Sequence, residues 1–121
     1  MAKRLLIVDD EETITFSLYQ SFIHSKKDYE VVTAASGEEA LERIKETPFD
    51  LVVTDIMMPG IDGFELLNTL HKNYPATNVI IMTAYGSDIY KERALKEGAA
   101  SYVEKPFEMK EFKKLIMKMM D

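Results

Sequence analysis

LVVTDIMMPG, residues 51–60, begins as a strand buried on both faces and breaks at an acid, Asp55. An unbroken Leu-Val-Val run of this kind suits a parallel sheet covered on both sides, since an antiparallel sheet with one wet face reads as alternating apolar and polar residues. Pro59 and Gly60 then turn the chain. Working outward, four more short apolar runs flank this one: RLLIV at 4–8, YEVVTA at 29–34, NVIIM at 78–82 and ASYVE at 100–104. Each is followed by residues at helical spacing. The first helix follows the acids at 9–12 and lines up Ile14, Leu18 and Phe22. The second starts behind Ser36 as N-cap and turns Ala40, Leu41 and Ile44 inward. The third follows GIDG at 60–63, the fourth covers about Ser87 to Glu97 and stops at Gly98, and the fifth carries Phe112, Leu115, Ile116 and Met119. Strands alternating with helices predict an α/β fold, a five-stranded parallel sheet with helices on both faces. No linker interrupts the series, so residues 1–121 are expected to form one domain.

The composition narrows the function. With 46% hydrophobic and 30% charged residues in 121, the chain can build one ordinary core. It has no cysteine, which excludes a disulfide framework and a thiolate metal site. The apolar run near the N-terminus meets acids after four residues, too soon for a signal-peptide core or a membrane span, and a cytoplasmic protein without membrane contact is expected. A net charge of −6 argues against gripping nucleic acid. The acid surplus is concentrated in residues 1–85, with 7 basic and 14 acidic side chains, whereas residues 86–121 carry 8 and 7.

In a sheet of right-handed crossovers all strand C-termini share one edge, and ligands bind there. That edge should receive Asp9 and Asp10 from strand one, Asp55 from strand three, Thr83 and Ala84 from strand four, and Lys105 with Pro106 from strand five. Singly, each has a plain structural reading: acids capping a helix, a turn aspartate, a capping hydroxyl, an exposed lysine. Together, three carboxylates converging on one edge repel one another unless a cation or protonation relieves them. A hard divalent ion such as Mg2+ takes carboxylate and carbonyl oxygen and commonly bridges them to a phosphoryl group. With such an ion present, one carboxylate can attack phosphorus while a lysine and a hydroxyl hold its oxygens. The arrangement suits phosphoryl transfer onto Asp55. His24 and His71 lie on helices away from this edge, and the methionines of the last helix fill core.

From VDDEE through TDIMMPGIDG and MTAYG to YVEKPF, the whole chain resembles the receiver domain of two-component response regulators. The resemblance implies the flavodoxin-like strand order 2-1-3-4-5. It implies a phosphoacceptor switch, not a metabolic enzyme, that takes a phosphoryl group onto Asp55 from a sensor histidine kinase or a histidine phosphotransfer protein. Asp10 and Asp55 would ligate Mg2+ directly, with the backbone carbonyl of Met57, and Asp9 through water; no other cofactor is implied. Thr83 and Lys105 would hold the phosphoryl oxygens, and the Lys105–Pro106 bond would be cis. Thr83 and Tyr102 would carry the change to the surface of helix four, strand five and helix five, through which a target protein, a linked effector domain or a second copy in a dimer would respond.

Two positions depart from common family members. Met57 and Tyr85, each two residues past a site residue, flank the path of a hydrolytic water and lack the acid or amide that orients it, which predicts slow loss of the phosphoryl group. Other classes fit less well. A haloacid-dehalogenase-type phosphatase wants a second aspartate where Met57 stands, and a flavin or nucleotide carrier wants glycines where this chain has DDEETI. A degenerate receiver that acts without phosphorylation would lack an acid, hydroxyl or lysine that this chain keeps. The sequence fits both a stand-alone receiver and the receiver of a longer regulator.

Overall fold

A computed structural model describes residues 3–23, 29–84 and 88–120. Strands β1 (Lys3–Val8), β2 (Tyr29–Ala34), β3 (Leu51–Asp55), β4 (Asn78–Thr83) and β5 (Ser101–Glu104) alternate with helices α1 (Glu12–Ile23), α2 (Gly37–Glu46), α3 (Gly63–Asn73), α4 (Asp88–Lys96) and α5 (Met109–Met120). All four strand pairings are parallel, in the order β2-β1-β3-β4-β5. This is the expected fold and order.

The burial follows the residue pattern. β3 is buried along its whole length, as the unbroken LVVT run requires, while β2 and β5, with tyrosine, serine and glutamate among their residues, are the half-buried edges. Alternate strand residues feed two cores. Leu6, Val8, Val52, Ile56, Val79 and Ile81 pack under α2, α3 and α4. Leu5, Ile7, Leu51, Val53, Ile80 and Met82 pack under α1 and α5, where Leu18, Phe22, Phe112 and Ile116 close the layer. Residues expected to face inward do so, Ile14, Leu41, Leu115 and Met119 only partly. α1 starts at Glu12, the last residue of the acidic run, so the helix takes in one acid more than expected while the other three precede it. Ser87 and His24 lie outside the described residues.

Helix entries are fixed by side-chain caps. The Ser36 side chain accepts from Glu39 N at 3.1 Å, and Glu39 Oε2 accepts in turn from Ala35 N at 3.1 Å. Asp62 caps α3 by accepting from Glu65 N at 2.9 Å. At the edge where the strands begin, Arg4 gathers several segments: its backbone N donates to Asp50 Oδ2 at 2.8 Å and its Nε to the Pro48 carbonyl at 3.1 Å. The same guanidinium pairs with Glu30 at 2.5 Å and lies 4.5 Å from the Phe49 ring centroid. Among the described residues no helix is long and apolar enough to cross a membrane.

Candidate functional site

The register delivers the acids to one place. Val8 pairs with Thr54, so Asp9 and Asp55, the next residue on each strand, emerge side by side. Asp9 N still donates to Ala34 O at 3.1 Å, and Ile56 N to Met82 O at 3.2 Å, which carries one ladder to Asp9 and the other one residue past Asp55 and holds both backbones. The loop after β3 is pressed onto the same spot: Gly63 N donates to Ile56 O at 2.8 Å, and a Cβ on Gly63 would lie 2.2 Å from the Asp55 carbonyl oxygen. Only a residue without a side chain lets α3 start this close to β3.

Lys105 closes the site from β5. Its Nζ donates to Asp9 Oδ2 at 2.8 Å and to Asp55 Oδ2 at 2.9 Å, and lies 3.4 Å from Glu11 Oε1. The side chains are sequestered, at 8% exposure for Lys105, 0% for Asp9 and 8% for Asp55. The Lys105–Pro106 bond is cis, as expected. The remaining carboxylate oxygens take backbone donors: Asp9 Oδ1 from Glu11 N at 2.9 Å, Asp55 Oδ1 from Met57 N at 3.3 Å.

Charge is out of balance here. Carboxylate oxygens of Asp9, Glu11 and Asp55 lie within 4.8 Å of one another, so three acids face one lysine. Burial pushes the Asp9 carboxyl above its ordinary value of 3.8, and the charge of Asp55 adds to this against the pull of Lys105. Burial alone would lower Lys105, but its hydrogen bonds to Asp9 and Asp55 and their charges outweigh it and raise the ammonium above its usual 10.5. A buried surplus of negative charge with hard oxygen donors is what a magnesium ion satisfies, and the residues present fit one.

Of the residues singled out in the sequence, Asp9, Asp55 and Lys105 meet directly. Asp10 is exposed and stands outside the carboxylate group, where Glu11 takes a place that the sequence reading gave only a capping role. The signal for Glu11 was its position in the acidic run, but a run does not say which member reaches the other carboxylates. Thr83 is fully buried at the end of β4, one residue past the partner of Asp55, and its carbonyl accepts from Lys105 N at 2.7 Å. Tyr102 sits opposite Ile81, half-buried against the α4 side of the core with its hydroxyl oxygen buried. Met57 is 51% exposed while Met58 beside it is 7% exposed, so Met57 flanks the site and Met58 packs. Tyr85 lies outside the described residues. A groove of about 550 Å³ opens beside the lysine, between Glu11 and Ile14 of the α1 side and Phe107 and Met109 of the α5 side.

With this geometry in hand, similarity to known proteins is specific. The family model described as "Response regulator receiver domain" matches residues 5–117. The response regulator protein FleR of Pseudomonas aeruginosa is 37% identical over 108 residues, 89% of this chain and 22% of that protein. The alkaline phosphatase synthesis transcriptional regulatory protein PhoP of Bacillus subtilis is 36% identical over 111 residues, 92% of this chain and 45% of PhoP. This chain thus spans less than half the length of either curated relative. A CheY-like response regulator receiver domain protein from Methanospirillum hungatei superposes with a TM-score of 0.86 at 35% identity, covering 98% of this chain and 94% of that one.

Proposed function

Because this chain belongs to the response regulator receiver domain family of two-component signalling, we propose that it is a phosphoacceptor switch whose acceptor is Asp55. One observation carries the reading: a buried aspartate at the end of the central strand, held at 2.9 Å by a lysine that also grips Asp9 at 2.8 Å. An oxygen of Asp55 displaces a phosphohistidine nitrogen at phosphorus; the O–P bond forms, the P–N bond breaks and the imidazole leaves carrying a proton. Asp9, Asp10, Asp55 and the Met57 carbonyl are the groups that would hold magnesium, with Glu11 near enough to assist. Bound there, the ion neutralises charge on the phosphoryl oxygens. Lys105 exchanges its hold on the carboxylates for the incoming phosphoryl group, and Thr83 donates its hydroxyl to the same group.

The phosphoryl donor is a sensor histidine kinase or a histidine phosphotransfer protein, which reaches Asp55 past the groove beside Lys105. Movement of Thr83 draws Tyr102 with it and resets the surface of α4, β5 and α5 for a target protein, a linked effector domain or a second copy of the chain. PhoP is by its name a transcriptional regulatory protein, which supports an effector of that kind in a longer regulator. The domain works in the cytoplasm and touches no nucleic acid itself.

The test is intact mass after incubation with magnesium and acetyl phosphate. A single phosphoryl adduct is expected, lost in Asp55→Ala and kept in Asp50→Ala, whose carboxylate serves Arg4 at the opposite edge. An adduct that survives Asp55→Ala refutes the assignment.

A further inference from the structure

α4 is poorly secured by apolar burial. In its nine residues only Ala94 is fully buried, with Tyr90 half-buried, whereas α3 beside it buries Phe64, Leu66, Leu67 and Leu70. One buried alanine fixes neither the position nor the rotation of a helix, because the apolar area it withdraws from water is small. Polar contacts supply the rest. The Arg93 guanidinium lies 3.9 Å from the centroid of the Phe64 ring, and its Nε donates to Glu97 Oε2 at 2.6 Å. The other oxygen of Glu97 accepts from Asn68 Nδ2, on α3, at 2.7 Å. Burial pushes the Glu97 carboxyl up, but the hydrogen bonds from Arg93 and Asn68 and the arginine's charge more than offset this, so it stays ionised below the usual range. Tyr90 meets the same Phe64 ring at 6.0 Å between centroids.

Phe64 is also the residue after Gly63, which is pressed against the Asp55 carbonyl. The ring on which Arg93 rests is therefore one residue from the backbone of the acceptor. We infer that Asn68, Arg93 and Glu97, seated on Phe64, form a latch that holds α4 in its unphosphorylated position and sets how readily phosphorylation moves it. This rests on the Asp55 switch proposed above. A contact present in one packing and absent in the other biases the equilibrium by its own free energy, and a ligand that favours the second packing must overcome it. Arg93 is half exposed, so the latch tunes the switch and does not lock it.

The test uses Asn68→Ala, Glu97→Ala and the double variant with two readouts. Amide hydrogen exchange across residues 88–96 in metal-free protein should quicken about five- to tenfold in each single variant while β3 is unchanged, the low end of couplings between linked sites. Affinity for beryllofluoride with magnesium, a phosphoryl mimic, should rise by a similar factor. The double variant should fall short of the product of the singles, because both remove one shared hydrogen bond. Unchanged exchange in α4 overturns the latch, as does a loosened α4 with no gain in affinity. A parent protein that binds no beryllofluoride refutes the Asp55 reading instead, and exchange alone then decides whether the latch exists.

Discussion

Lys105→Met removes the one cation that, among the described residues, faces Asp9, Glu11 and Asp55, while keeping most of the apolar stem, and its outcome can be worked from the geometry. The lysine makes two short charge-assisted hydrogen bonds, at 2.8 and 2.9 Å, to carboxylates that are almost fully enclosed. Removing one partner of a buried ion pair costs about 3–5 kcal/mol, because the other charge stays behind without compensation. For a domain of this size that is a fall in Tm of roughly 12–20 °C. The site changes from three acids against one base to three acids alone. Two signatures should accompany the loss. Magnesium should stabilise the variant more than the parent, since it restores the missing positive charge. The gap between the proteins should also close as pH falls and Asp9, whose carboxyl burial pushes above its ordinary value, takes up a proton. The assay is thermal unfolding in EDTA and in magnesium at several pH values, with Lys105→Arg as the charge-retaining control. A variant as stable as the parent at neutral pH without metal, or a deficit that ignores pH, would refute the reasoning.

Three further outcomes are expected. Gly63→Ala places a methyl carbon 2.2 Å from the Asp55 carbonyl oxygen, so the β3–α3 junction must open; stability should drop by about 1–3 kcal/mol in urea unfolding, with slower phosphorylation by acetyl phosphate. Asp9→Asn tests the pH linkage. Because its folded value is raised above 3.8, the native state keeps a proton that the unfolded chain has released, so this contribution is full below 3.8 and lost as pH rises through the folded value. As pH rises above 3.8 in EDTA, the parent should lose stability relative to the variant, and equal slopes would count against the raised value. Met57→Glu or Met57→Asn should shorten the life of the aspartyl phosphate, because the exposed thioether cannot orient a water as a carboxylate or amide does; decay followed by intact mass would remain unchanged if Met57 only packs.

The fold was legible because parallel strands write themselves as unbroken apolar runs: LLIV and VIIM become fully buried stretches of β1 and β4. The strand order was not periodic information and came from the family resemblance. At the site, Asp9, Asp55 and Lys105 could be placed because each ends or follows a strand, and the parallel arrangement sends all such residues to one edge. The rest was hidden for a common reason. Glu11, exposed just ahead of α1, brings a carboxylate oxygen to the cluster, Gly63 matters for what a side chain would strike, and Asn68 meets Glu97 across 29 residues. Contacts of that kind depend on rotamers and on distances between helices, and no run or spacing encodes them.

The Arg4 cluster lies at the opposite end of the strands from all of this. One arginine ties β1 to Pro48, Phe49 and Asp50 ahead of β3 and to Glu30 of β2, through backbone, carboxylate and ring at once. In mechanical terms the sheet is a plate clamped along one rim and loaded along the other. On the proposed phosphoacceptor reading, a displacement at Asp55 would meet a rim tied by Arg4 on one side and the lightly seated α4 on the other, and α4 is where it should show. A mutational map of the domain should therefore divide by strand polarity, with damage at the clamped rim registering as lost folding and damage at the loaded rim as altered signalling.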